Sequence, residues 1–453
     1  MLRTNNLGEV NEEFVGKKVI LAGWVDSIRT FKEKHFILLR DRYGKVQIVF
    51  SGAASKEAQK LTLESCISVE GEVKKRPAGQ ENKEMPSGKV EVEAKNLKIF
   101  SLCPRLPFDI KAENIEDVRL KQRFLDLRTD RMQKNIQIRS KAINVILDFF
   151  NKEGFVYIET PVLAKSTPEG ARDYIVPARN YPGQFYALPQ SPQLFKQLSQ
   201  IAGFDKYIQL AKCFRDEDLR KDRQPEFTQI DVEMSFIEQD DIINIVERLI
   251  KKLFHEVLKV DVKIPFPRIK YEDAIKKYGT DKPDLRKNKD NKKEFAFCWV
   301  ADFPLFEYSK EEKRYKSTHH PFTMPLVGKN KMDFNEKSKS LAYDIVLNGS
   351  EIGGGSIRIA DSEIQRKVFD LLKISKKEAE EKFGFLLEAL KFGAPPHGGI
   401  ALGFDRIIQI ITGEDSIRDV IAFPKNKEAK DIMLNAPSEI SKEQLKELHL
   451  KFG

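Results

Sequence analysis

The sequence predicts a chain in two folded parts, a small all-β barrel at the front and a larger α+β domain built on an antiparallel sheet behind it. Three features point there. Short strand-like runs fill the opening stretch, a proline-broken charged segment follows near residue 105, and beyond it amphipathic helices are set among long alternating strands. A length of 453 residues admits two to four domains at roughly 100–200 residues each.

The front runs are Val19–Val25, His35–Leu39, Val46–Phe50, Ile67–Gly71 and Val90–Glu93, punctuated by Asp41-Arg-Tyr-Gly44 and Pro86-Ser-Gly88. With one helical patch around Ala53–Leu61, they suit a small barrel of the OB type over residues 1–104, an unrelated small sandwich being the alternative. Pro104-Arg-Leu-Pro107 breaks regular structure and opens a charged hinge expected over 105–130. In the remainder, 131–453, Ile136, Ile138, Ala142, Ile143, Ile146, Leu147 and Phe150 recur at helical spacing, and similar patterns lie near Ile364–Leu372 and Ala379–Leu390. Phe155–Ile158, Lys206–Ala211, Thr228–Glu233 and Ser356–Ile359 read as strands between them, and their polar alternation predicts a sheet with one face lining a polar site.

Composition narrows the class. Charged residues at 32% and hydrophobic ones at 41% suit a soluble globular protein. Lysine plus arginine number 78 against 69 acids, a net charge of +9 that favours a polyanionic partner, although lysine-rich stretches such as Lys287–Lys293 and Lys425–Lys430 are equally suited to solvated surface. Cys66, Cys103, Cys213 and Cys298 lie far apart with no CxxC pair, so neither a zinc site nor a disulfide framework is suggested and a reducing compartment fits. The start carries no apolar signal core, and no run approaches the roughly 18 apolar residues of a membrane span. A cytoplasmic protein without a membrane partner is expected. Neither a GxxxxGK(S/T) loop nor a GxGxxG fingerprint occurs, so bound ATP would have to be held by arginines and aromatics.

Three elements carry that possibility. Phe214–Phe227 sets Arg215 and several acids in a loop between two strands and ends in an aromatic that can stack a purine. Gly398–Ile407 brings glycines to a helix bearing Arg406, which can meet a terminal phosphate. Gly154–Pro161 follows an amphipathic helix and ends in proline. Singly, the first reads as an ion-paired surface hairpin and the second as a plain strand-to-helix turn.

In this order and spacing, the third, first and second elements resemble motifs 1, 2 and 3 of the class II aminoacyl-tRNA synthetases. Ser166–Tyr174, Phe185–Gln197, Gln224–Glu233, His319–Thr323 and Gly353–Arg358 resemble the bacterial aspartyl-tRNA synthetases in particular, and the likeness runs from Gly23-Trp-Val25 to Ser416–Pro424. The resemblance implies a class II synthetase catalytic domain, an anticodon-binding barrel, and a homodimer that charges tRNA(Asp) with L-aspartate using ATP and Mg²⁺.

It also assigns residues. Glu169 and Asp231 would hold the substrate ammonium with Gln193 nearby, while Lys196 and Arg358 would grip the side-chain carboxylate. The planar fork of Arg358 matches a carboxylate, whereas an asparagine amide would turn its own donors toward it. His319 and His320 would lie on a loop closing over aspartate. Arg215 and Arg406 would be the catalytic cations, with Arg215 also touching the amino acid. Glu217, Gln224, Phe227, Glu351, Gly403, Phe404 and Asp405 would join them around ATP, and Asp344 with Glu351 would carry Mg²⁺. In the barrel, Arg29, Phe36, Gln47 and Glu91 would read the anticodon, with Phe36 as ordinary barrel core the alternative.

Two departures stand out. Arg29-Thr-Phe31 lacks the family's Arg-Asp pairing, which bears on the anticodons accepted. After Lys282–Arg286 the family inserts a domain, yet here Phe297 follows in about ten lysine-rich residues. Since no residue assigned to chemistry lies in that insertion, activity is expected to survive its absence. The competing readings are a related class II enzyme using asparagine or lysine, an asparagine-forming ligase, and a catalytically silent tRNA-binding paralogue.

Overall fold

The computed structural model describes residues 1–112, 114–167, 170–311, 313–328 and 330–451, and the chain divides into two compact units, Met1–Asn114 and Ile115–Gly453.

The first unit is a closed barrel. Its strands are β1 (Lys18–Phe31), β2 (Lys34–Arg40), β3 (Lys45–Phe50), β4 (Cys66–Lys75) and β5 (Val90–Ser101), with helix α1 (Gly52–Ala58) between β3 and β4. They follow the order β1-β2-β3-β5-β4, and β4 pairs back onto β1. The two-residue period decides the lining: Ile37 and Leu39 are fully buried, whereas the intervening Phe36 and Leu38 are half-buried on the outer surface. Leu21, Val25, Val46, Ile48, Val69 and Val92 complete the interior. The strands outrun the sequence reading at their ends, where Ser27–Phe31 is held by ladder hydrogen bonds without apolar alternation to reveal it, and Asn96–Ser101 continues β5 with Leu97 and Ile99 packed against the barrel core.

The larger unit opens with α2 (Glu116–Lys121) and α3 (Arg123–Asp126). Here the structure differs from the hinge expected over 105–130. Residues 105–114 group with the barrel, and 115–130 are fastened into the larger unit. Buried Arg123 donates to the carbonyls of Arg418, Ile421 and Ala422 at 2.7, 2.8 and 2.9 Å, and Arg119 bridges Asp126 and Asp419 at 3.0 and 2.7 Å. Isolated arginines in a charged segment give no sequence sign of such distant carbonyl partners.

Then come α4 (Asp130–Lys152), β6 (Val156–Tyr157), a hairpin of β7 (Ile175–Pro177) and β8 (Phe185–Ala187), and α5 (Gln193–Ile201). They are followed by β9 (Lys206–Phe214), β10 (Glu226–Ser235), α6 (Gln239–Leu258), β11 (Arg268–Lys270), α7 (Tyr271–Tyr278) and β12 (Phe297–Ala301). The rest comprises a hairpin of β13 (Phe306–Ser309) and β14 (Arg314–Ser317), β15 (Ala342–Leu347), β16 (Ser350–Ile357), α8 (Ser362–Leu371), α9 (Lys376–Ala389), β17 (His397–Gly403), α10 (Phe404–Thr412) and α11 (Lys442–Glu447). Eight strands form one sheet in the order β11-β12-β15-β16-β17-β10-β9-β6, antiparallel except for the β11/β12 and β6/β9 pairs.

The faces of this sheet differ in chemistry. Ile230, Val232, Ile345, Ile400 and Leu402 point to one side and pack with Ile146 and Phe150 of α4, Ile242, Val246 and Leu249 of α6, and Ile407 and Ile408 of α10. The alternate residues point the other way. Asp231 pairs across to Gln209 and Ala401, Glu233 to Gly399, and Gly354 to both Ala401 and Asp344, which puts the carboxylates and glycines on one surface. The apolar face holds the sheet to its helices, leaving the polar face to build a site.

Candidate active site

Four neighbouring strands, β15, β16, β17 and β10, make the acidic floor, and the glycines of β16 and β17 make room for it. A Cβ at Gly399 would lie 2.0 Å from Glu233 Oε2, and one at Gly354 would lie 2.6 Å from Asp344 Oδ1 and 3.8 Å from Glu351 Oε1. The carboxylates of Asp344 and Glu351 therefore converge above Gly354, and Glu233 lies flat against Gly399.

Above the floor, α5 supplies Lys196, which is 1% exposed. Its Nζ lies 3.0 Å from Asp231 Oδ1 and 3.4 Å from Glu233 Oε2. Arg358, just past β16, donates Nε and Nη2 to the Glu233 carboxylate at 2.8 and 3.2 Å and Nη1 to Ser356 Oγ at 2.8 Å, and Nη1 also meets His320 Nε2. The two cations assigned to the substrate side chain thus converge, with Glu233 between them. The sequence reading passed over Glu233. Its place two residues after Asp231 on a strand was the available signal, because period two puts both on one face.

Charge balance sets the protonation. Burial lifts the Asp231 carboxyl above its ordinary value despite Lys196, whereas Arg358 and Lys196 outweigh burial at Glu233 and hold it below. Asp231 Oδ2 and Gln193 Nε2 are both buried without a hydrogen-bond partner. Gln193 sits one turn before Lys196 on the same face of α5, so the unpaired groups belong to one layer. A buried carboxylate oxygen without a donor is costly, and a ligand ammonium would satisfy it. Glu169 lies outside the described residues.

His319 Nε2 stands 3.0 Å from Asp344 Oδ1. Burial disfavours the imidazolium, but Asp344 outweighs it and raises the His319 pKa, while burial and Arg358 push His320 well below its ordinary value. A neutral His320 can therefore accept from Arg358, and the histidine pair links Asp344 to Arg358.

A cavity of about 490 Å³ opens beside this cluster, lined by Arg215, Glu217, Gln224, Phe227, Glu351, Gly403, Asp405 and Arg406 among others. Arg215 stacks over the Phe227 ring, 5.1 Å from its centroid. Arg406 donates to the Glu351 carbonyl and pairs with Asp222 at 3.0 Å. Glu217 pairs with Arg223 at 3.1 Å.

Three of the nucleotide assignments have other occupations. Gln224 is 1% exposed and its amide closes a ring with the Lys425 backbone, at 3.0 and 2.8 Å. Asp405 accepts from Thr228 N at 2.8 Å and pairs with Arg139, so it ties α10 to β10. Phe404 is fully buried in the core beneath the sheet and does not line the cavity. Its position at the head of an amphipathic helix is the physical reason. Cavity residues that the sequence reading missed include Arg220, Arg223 and Lys282.

In the barrel, Arg29 pairs directly with Phe36, Leu38 with Gln47, and Gln47 Nε2 donates to Glu91 Oε2 at 2.7 Å. Arg29, Phe36 and Gln47 share the outer surface of the wall, which excludes Phe36 from the barrel core.

A polar sheet face bearing paired cations and carboxylates thus lies beside an arginine-lined cavity. Residues 115–427 match the family described as tRNA synthetases class II (D, K and N), and residues 19–100 match the OB-fold nucleic acid binding domain. The chain belongs to the class II tRNA synthetases of that D, K and N group. Within it, relatives that align along the whole chain include aspartate–tRNA(Asp/Asn) ligases. That of Caldanaerobacter subterraneus subsp. tengcongensis is 45% identical, covering 99% of this chain and 98% of the relative. Those of Dictyoglomus turgidum and Thermotoga maritima are 42% and 41% identical, covering all of this chain and 98% and 99% of theirs. These alignments run over 582, 585 and 576 residues, more than the 453 of this chain, so the relatives hold residues with no counterpart here.

Solved structures share the fold. The asparaginyl-tRNA synthetase of Pyrococcus horikoshii, complexed with asparaginyl-adenylate, superposes with a TM-score of 0.76 at 24% identity, covering 94% of this chain and 98% of that one. The aspartyl-tRNA synthetase of Entamoeba histolytica gives 0.74 at 22% identity, covering 94% and 92%. No helix among the described residues is long and apolar enough to cross a membrane.

Proposed function

We propose that this chain activates L-aspartate with ATP to aspartyl-adenylate and transfers the aspartyl group to the 3′ end of tRNA(Asp). One observation carries the reading: buried Lys196 and Arg358 converge beside Asp231, whose second oxygen lacks a partner. Such a site offers cations to a side-chain carboxylate and an acceptor to an ammonium. Asparagine would direct an amide donor at the cations, and a mismatch leaving buried donors unpaired rejects an analogue by factors on the order of 10⁴.

In activation, the aspartate α-carboxylate attacks the α-phosphorus of ATP, forming the acyl–phosphate bond as pyrophosphate leaves. Arg215 and Arg406 line the cavity where that negative charge grows, and their fixed positions stabilise it without a side-chain nucleophile. Phe227, already stacked beneath Arg215, offers the face for adenine.

Asp344 and Glu351 suit Mg²⁺, since their hard oxygens converge over Gly354 and each has one oxygen engaged, by His319 and by Lys282. The ion would neutralise phosphate charge there, with phosphate and water completing its coordination. On the barrel, Phe36 offers a stacking surface and Arg29, Gln47 and Glu91 polar edges for anticodon bases. A cytoplasmic homodimer accords with the family.

Pyrophosphate exchange dependent on aspartate but not asparagine, followed by charging of purified tRNA(Asp) and tRNA(Asn) with labelled aspartate, tests the reading. Exchange supported by asparagine instead, or ATP binding without any exchange, overturns it.

A further inference from the structure

Lys282 belongs to the Lys-Pro-Asp-Leu-Arg segment that ends where the short lysine-rich loop begins, and no role follows for it from the reaction as described. Its ammonium nevertheless lies 2.8 Å from Glu351 Oε2 and lines the same cavity as Arg215 and Arg406. The backbone that carries it is close-packed, since a Cβ at Gly349, in the turn between β15 and β16, would sit 3.2 Å from Asp284 Cβ and 3.8 Å from the Lys282 carbonyl. The hairpin bearing Asp344 and Glu351 is therefore seated on residues 282–284. Arg286 closes on Asp284 at 2.7 Å, and Lys287 and Asn288 donate their amides to Glu294 at 2.8 and 3.1 Å, which fastens the following loop.

The charge arithmetic is local. Asp344 and Glu351 converge above Gly354, and His319 balances the first while Lys282 balances the second. A divalent cation arriving at Glu351 meets an ammonium already in contact with one of its oxygens. Because Lys282 is 41% exposed, it can move off Glu351 toward the open cavity, where phosphate oxygens of a nucleotide would receive it.

We propose that Lys282 is a further residue of the nucleotide site, an internal cation that neutralises Glu351 before metal and ATP bind and that competes with a divalent ion for it. This rests on the reading of the cavity as an ATP–metal site. Competition has a consequence opposite in sign to a structural role: removing the ammonium strengthens metal binding by the free enzyme.

Mn²⁺ binding to the full chain, followed by electron paramagnetic resonance without nucleotide, reads this directly. Lys282→Met is expected to tighten Mn²⁺ about fivefold, in keeping with the removal of one half-exposed ion pair, while Lys282→Arg stays near wild type. In the Glu351→Gln background, Lys282→Met should change nothing further. Mn²⁺ affinity unchanged or weakened in Lys282→Met, with the thermal transition intact, overturns the proposal, as does an equal gain in the Glu351→Gln background. Should Lys282→Met not fold, Lys282→Gln carries the same test. Failure of the wild-type enzyme to bind Mn²⁺ or ATP would overturn the cavity reading itself.

Discussion

Glu233→Gln places the central argument at risk, because it removes the anion shared by two buried cations while preserving shape. Glu233 has no solvent exposure, and its carboxylate lies within 2.8 Å of Arg358 Nε and 3.4 Å of Lys196 Nζ. Breaking a buried pair by removing one partner costs about 3–5 kcal/mol, because a charge is left uncompensated. At roughly 2 °C per kcal/mol for a large domain, the thermal midpoint should fall by ~6–10 °C. Pairing with Arg358→Met in a double-mutant cycle should recover about 1–3 kcal/mol, since that variant removes the orphaned guanidinium as well. The pH dependence has a definite sign. Arg358 and Lys196 overcome burial and depress the folded-state pKa of Glu233, so its stabilisation is complete above the unfolded carboxyl pKa and is lost as pH falls through the lower folded value. Calorimetry should find a constant gap between wild type and Glu233→Gln from pH 6 to 8, narrowing toward pH 4. A loss under 1 kcal/mol, or a gap that widens in acid, would refute the placement of Glu233 between the two cations.

Asp231→Asn should raise the aspartate KM in pyrophosphate exchange by ~10–100-fold, the value of a hydrogen bond to a charged group, and lower the thermal midpoint less than Glu233→Gln does, since burial already disfavours its charge and an amide oxygen still faces Lys196. A KM change confined to ATP would count against it as the ammonium acceptor. Phe36→Ala should weaken tRNA charging by about 1–3 kcal/mol, as expected for a lost stacking platform. Tm and aspartate-dependent exchange should hold, because the ring is half-buried outside the barrel core; a folding defect would restore the core reading. Gly399→Ala must displace Glu233, whose Oε2 would lie 2.0 Å from the new methyl group. Soluble protein with wild-type exchange kinetics would show that the glycine is not needed there.

The architecture was legible where one residue period dominated. The barrel strands around Ile37 and Ile48 and the helix through Ala142 and Phe150 follow directly from alternation and helical spacing. Site residues were legible as motif members, but their partners were not. Nothing local to Arg123 foretells three carbonyls almost three hundred residues away, and nothing local to Gln224 foretells the backbone of Lys425. Phe404 and Asp405 illustrate the converse limit. A motif marks which residues belong together, yet only the helix orientation decides that Phe404 faces the core, that Asp405 at the cavity wall is spent on a strand amide, and that Arg406 brings its guanidinium to the cavity.

The two glycines beneath the acidic groups have a wider implication. Because the hollows at 354 and 399 receive carboxylates of neighbouring strands, the anions are inlaid in the scaffold and cannot be re-aimed one at a time. Any drift in amino-acid preference would have to proceed through side chains that do not lie over a glycine, such as those of α5, while the inlay itself stays fixed.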